Sequence, residues 1–174
     1  MVMYVVPPLG PHPVAGDIVS ESENGSEVFW LVLTPSCDFA QSKTNHVLLV
    51  KCEQLNDRTE YKKWLEKKDE KTTDSLGQLF EDKRGDRLKF LPRAFFIPDL
   101  VVDLQQLRCI SLKSLDTYKK IATLDSPFAE SLVARFSRYY NRLGTPDIDK
   151  TIVFNRLQSG APGLSVAPSG EAKQ

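Results

Sequence analysis

The chain has 174 residues, 41% hydrophobic and 26% charged, the balance of a globular domain long enough to bury a core of its own. Its 23 basic and 23 acidic residues cancel, so no global field draws it to nucleic acid or an anionic membrane. Three cysteines without tight spacing make no disulfide framework, and no signal peptide or membrane-length apolar run is visible, so a cytoplasmic protein with reduced thiols is expected.

Four prolines in residues 1–13 suggest an extended arm laid over the surface. Gly16-Asp17-Ile18-Val19-Ser20-Glu21 alternates as a strand should, and Asn24-Gly25 supplies the positive φ of a tight hairpin. The hairpin's second strand, residues 28–34, ends in Leu31-Val32-Leu33-Thr34-Pro35 and reads as buried on both faces. The chain then turns through Ser36-Cys37-Asp38 into a polar loop and a third strand over residues 46–52. Residues 54–86 are charge-dense. Apolar side chains at helical spacing (Tyr61, Trp64 and Leu65, then Leu76, Leu79 and Phe80) predict an insertion of two short helices, broken at Lys71-Thr72-Thr73-Asp74.

β character returns over residues 87–92, 94–97, 100–104 and 107–110, with a bend at Gln105-Gln106, and residues 118–124 read as a further edge strand. Ser126-Pro127 then starts a helix whose apolar face is Phe128, Leu132, Phe136, Tyr139 and Leu143, stopped by Gly144. Residues 158–174, rich in Ser, Gly, Pro and Ala, read as a disordered tail. The expectation is one globular domain over residues 1–157. Its class is α+β, mostly β: a small barrel with a helical insertion at 54–86 and a C-terminal amphipathic helix at 126–143.

The order Gly-Asp-Ile-Val, Leu-Val-Leu-Thr, His-Val-Leu-Leu-Val-Lys-Cys and Val-Val-Asp-Leu-Gln-Gln-Leu-Arg-Cys-Ile, followed by a closing helix, resembles the MazF/PemK-like toxin fold over roughly residues 14–143. The resemblance implies an SH3-like β-barrel. It also implies kinship with dimeric endoribonucleases of bacterial toxin–antitoxin or defence systems, which cut single-stranded mRNA. Such enzymes use an arginine at the start of the second strand and a threonine or serine after the third. Here the first place falls in residues 26–30 without an arginine, and the second near Glu53-Gln54 without a hydroxyl. The expected function is therefore a non-catalytic binding module for a protein or RNA partner, with homodimerisation implied. The alternative is a ribonuclease with a rearranged site.

Three constellations carry candidate chemistry. Cys37 and Asp38 with His46 could form a nucleophile and its base; structurally, Cys37 is a small residue at a strand end and Asp38 a turn former. Cys37, Cys52, Cys109 and His46 could meet at a metal. They lack ligand spacing, so no metal or other cofactor is expected and buried structural thiols are the preferred reading. Arg135, Arg138 and Arg142 form a stripe beside the apolar face of the last helix, with Tyr139 interleaved. That pattern suits phosphates, stacked bases or an acidic protein surface, and equally a solvated flank.

Overall fold

The computed structural model describes residues 3–6, 13–41, 43–83, 85–94 and 96–141. The strands are β1 (Tyr4–Val5), β2 (Asp17–Glu23), β3 (Ser26–Val32), β4 (His46–Gln54), β5 (Leu88–Leu91), β6 (Leu100–Ser111) and β7 (Lys119–Leu124). The helices are α1 (Ser36–Ala40), α2 (Thr59–Lys67), α3 (Glu70–Phe80), α4 (Leu112–Leu115) and α5 (Phe128–Tyr140), with one 3-10 turn at Leu55–Asp57. All seven strands join one antiparallel sheet in the order β1-β7-β2-β3-β4-β6-β5. The class is α+β and mostly β, as the sequence leads one to expect.

Asn24 and Gly25 both hold positive φ, 51° and 80°, and set the β2–β3 hairpin with Glu23 opposite Ser26. The sheet curls into a half-barrel. Its far sides approach where the Tyr4 hydroxyl donates to the carbonyl of Pro92, 2.6 Å away, just past β5. The Tyr4 ring also meets Phe96 edge-on. Burial, with smaller contributions from Cys52 and Asp99, pushes the Tyr4 phenol well above its ordinary pKa. Within the predicted arm, Tyr4 and Val5 pair with β7 as strand β1, while residues 7–12, with Pro7, Pro8 and Pro11, lie outside the described residues.

One face of the sheet carries the main core: Ile18, Phe29, Leu31, Leu33, Val50, Val102 and Leu104, closed by Leu132 of α5. Phe128, Phe136 and Tyr139 of α5 pack on this core at half-burial, as the helical stripe predicts. The opposite face is divided. Val19, Trp30, Val32, Val47 and Leu49 form one cluster under Phe39 and α4. Leu55, Leu76, Leu79, Leu88 and Val101 form another beneath α2 and α3.

Several local expectations need correction. The two insertion helices exist, but the break lies at Lys68-Asp69. The Asp69 side chain caps α3 by accepting from the Thr72 amide at 2.7 Å, and Lys68 takes φ 48°. Residues 71–74 therefore lie inside α3. The Ser36-Cys37-Asp38 turn is a short helix. In place of the expected strand over residues 94–97, the described residues there form an isolated Ala94–Ile97 bridge. Strand β7 is interior, covered on its outer side by β1. Ser126 does not cap α5, whose first residues instead bond to the Asp125 carbonyl. Leu143, Gly144 and the 158–174 tail lie outside the described residues.

Candidate binding cleft

Residues 100–104 and 107–110 join into one strand, β6, and the anticipated bend between them is a large bulge. From Val50 to Cys52, two steps on β4, the partner on β6 moves five, from Leu107 to Val102. The extra residues turn Asp103 and Gln106 toward the end of β4. There the Gln106 amide donates to Glu53 at 2.7 Å. Arg87, just before β5, grips Asp103 through two hydrogen bonds of 2.9 and 2.7 Å. Arg58, entering α2, holds Glu53 at 2.6 Å and Glu60 at 3.1 Å.

These groups line a cleft of about 710 Å³ whose walls also include Ser26, Glu27 and Lys51 and, from the helical insertion, Asp57 and Lys63. Its floor is charged but paired. Asp103 is 1% exposed, while the Arg87 side chain is 47% exposed and so faces both its partner and the cleft. Burial alone would raise the Asp103 pKa; the Arg87 guanidinium, the Gln105 amide and Gln106 outweigh it and hold the carboxyl below its ordinary value. Arg58 responds likewise: burial works against its charge, and Glu53 and Glu60 more than restore it. Lys51 and Lys63 make no ion pair among the described residues, which leaves two lysines free at the mouth. The carboxylates of Asp103 and Glu53 are both occupied as hydrogen-bond acceptors, and the lowered Asp103 pKa makes that carboxylate a poor proton acceptor.

The sequence-derived candidates fall elsewhere. Cys37 sits exposed in α1 with its thiol 3.7 Å from an Asp38 carboxylate oxygen. The Asp38 main chain closes the local turn, its amide to the Pro35 carbonyl and its carbonyl to the Lys43 amide. His46 is exposed at the start of β4, and among the described residues no hydrogen bond joins its ring to Cys37. Thiol and imidazole do not assemble into a dyad. The three cysteines do not converge either: among the described residues no group of His, Cys, Asp or Glu could hold a metal. Cys52 is buried, and burial pushes its thiol pKa far up. Cys109 is exposed rather than buried as expected, because β6 alternates exposed and half-buried past the bulge.

Of the arginine stripe, Arg138 is exposed beside Asp86, and Tyr139 is half-buried on the core. Arg135 turns inward. It is 7% exposed, donates to the carbonyls of Gly85 and Leu88 at 2.8 and 3.0 Å, and pairs with Asp82. Arg142 lies outside the described residues. The described part of the stripe is thus one helix-to-loop clamp and one surface arginine.

The cleft residues Glu53, Arg58, Arg87, Asp103 and Gln106 escaped the sequence reading. One signal existed: a carboxylate at 103 inside the apolar run Leu100-Val101-Val102-Asp103-Leu104 has to find a cation once buried. The lining includes residues of the 26–30 stretch and Glu53-Gln54, the places at which the toxin-fold comparison looks for catalytic groups. No helix of the described residues is long and apolar enough to cross a membrane. Neither protein-family models nor curated proteins yielded a match to this chain.

Proposed function

We propose that the protein is a non-catalytic binding module of the MazF/PemK-like kind, which engages a protein partner in the cleft between the end of β4, the β6 bulge and α2. The observation that carries this reading is the pairing within the cleft. Arg58 grips Glu53 and Arg87 grips Asp103 through hydrogen-bonded ion pairs, so these side chains form a paired polar floor rather than free catalytic groups. The lining carries both signs of charge, Lys51, Lys63 and Arg87 together with Glu27, Asp57 and Glu60. Such a surface complements a protein of mixed charge better than a polyanion. RNA is the second candidate partner.

The test is a pull-down from host lysate with the full chain and with Lys51→Glu/Lys63→Glu, read by both mass spectrometry and RNA sequencing. The substitution touches no internal ion pair, so circular dichroism should be unchanged. One protein recovered by the wild type and lost from the variant is the expected result. Recovery of RNA with discrete cut ends, or purified protein that cleaves single-stranded RNA, would replace this reading with the nuclease one.

A further inference from the structure

Arg135 and Arg138 of α5 line no part of the cleft, yet they meet the segment that carries Arg87. Among the described residues, that segment has few other main-chain ties. β5 begins at Leu88, opposite Asp103, so Arg87 lies one residue before the ladder starts. Its own carbonyl accepts from the Leu104 amide at 3.0 Å. The Arg87 side chain is half in water, so packing confines it only in part. Between the end of α3 and Arg87 the chain bends through Asp82 and Gly85, which hold φ of 66° and 74°.

Arg135 grips this segment on both sides of Arg87. One nitrogen of its guanidinium donates to the carbonyls of Gly85 and Leu88, and the other pairs with Asp82 at 2.7 Å. Lys89, two residues past Arg87, also pairs with Asp82. Arg138, one turn along α5, contacts Asp86 at 3.5 Å. Tyr140 completes the series. Its hydroxyl donates to the Leu104 carbonyl at 2.7 Å, and the Leu104 amide is the group that holds the Arg87 carbonyl. Three residues of α5 thus reach the chain around Arg87 and Asp103. The contacts of Arg135 need two donor nitrogens at a fixed angle, which a guanidinium supplies and an ammonium does not.

We propose that Arg135 is a positioning residue of the cleft: by fixing the main chain on both sides of Arg87, it aims that guanidinium at Asp103 and keeps its outer half turned into the cleft. A long, half-exposed side chain loses rotamer freedom when held in one place, and a fixed root lessens that loss. A stripe built for phosphates would keep the Arg135 donors outward; here they are spent on the chain itself. The proposal rests on the reading of the cleft as a binding surface, and adds the residue that places its half-exposed cation.

The test follows the Asp103 carboxyl by NMR in the full chain, with no partner present. Burial raises the Asp103 pKa and Arg87 leads the contacts that lower it, so the titration midpoint reports whether the guanidinium is in place. The midpoint should move upward in Arg87→Met, where the guanidinium is gone, and in Arg135→Met, where it has lost its placing. In Arg135→Met the Arg87 Nε proton should also exchange faster with water. Arg138→Gln removes a charge from the same helix without touching the Gly85 and Leu88 carbonyls, and should leave the midpoint at the wild-type value. Where Arg135→Met does not fold, Arg135→Lys is read instead: it keeps the charge but cannot span both carbonyls and Asp82, so the midpoint still rises. An Asp103 midpoint unchanged in the Arg135 variant overturns the proposal. So does an equal rise in Arg138→Gln, which would make the effect one of helix charge rather than placement. The pull-down with Lys51→Glu/Lys63→Glu uses neither Arg135 nor Arg138, so the binding reading can fail while this one stands, or the reverse.

Discussion

Asp103 shows how one side chain links the fold to the cleft. Its position in an apolar strand would bury a bare charge, so the carboxylate persists only because Arg87 and the bulge amide of Gln105 meet it. Its pKa is lowered in the fold, and the sign of the pH dependence follows: the pair stabilises the protein above the unfolded value of about 4 and stops doing so as pH falls through the lower folded value. Arg87 is half in water, so screening keeps the effect modest. Asp103→Asn should reduce stability at pH 7 by about 1–2 kcal/mol. The gap between variant and wild type should narrow as the pH is brought from 7 down to 3, below the unfolded value. Urea midpoints at the two pH values decide it, and a gap that stays constant would mean that Asp103 acts through packing alone. Arg135 makes the complementary point, since a residue that looks like a surface contact by helical spacing serves as an internal clamp.

Elements were legible where the signal was local, and the join between elements was not. The Asn24-Gly25 hairpin, the apolar stripe of α5 and the paired insertion helices each follow from a few adjacent residues whose conformational demands leave little choice. The break between α2 and α3 was misplaced because a single cap, Asp69, outweighs a run of β-branched and polar residues that remain tolerable inside a helix. The cleft was missed for a different reason. Residues 53, 58, 87 and 103 converge only through the bulge and the curl of the sheet, and their spacing in sequence carries no trace of it. Gly16 sits at one such join, between the start of β2 and α5. It holds φ +92°, and a Cβ there would lie 2.8 Å from the Ala129 Cβ. Gly16→Ala should cost about 2–4 kcal/mol, as backbone strain and overpacking add. The double variant Gly16→Ala/Ala129→Gly separates the two contributions. Denaturation should show partial recovery, and full recovery would assign the whole effect to the clash.

At the scale of the whole molecule, zero net charge makes the cleft's own charges decisive, because no global field masks them. An RNA strand lying in the cleft would be held by the free lysines, Lys51 and Lys63, with the outer half of Arg87. Neutralising about three phosphates of a single strand gives a slope near −2 in log affinity against log salt, or a loss of about twentyfold between 50 and 200 mM. A protein of mixed charge behaves otherwise. Attractive and repulsive pairs around Glu27, Asp57, Glu60, Lys51 and Lys63 are screened together, so the same change should weaken binding by less than about fivefold. Affinity of the captured partner measured at both salt concentrations, with wild type and Lys51→Glu/Lys63→Glu, separates the classes. A shallow slope in the wild type, with binding lost in the variant at both concentrations, fits a protein seated on the paired floor. A steep slope that flattens when the lysines are reversed identifies a polyanion, and would return attention to how Arg87 and Asp103 face the phosphate.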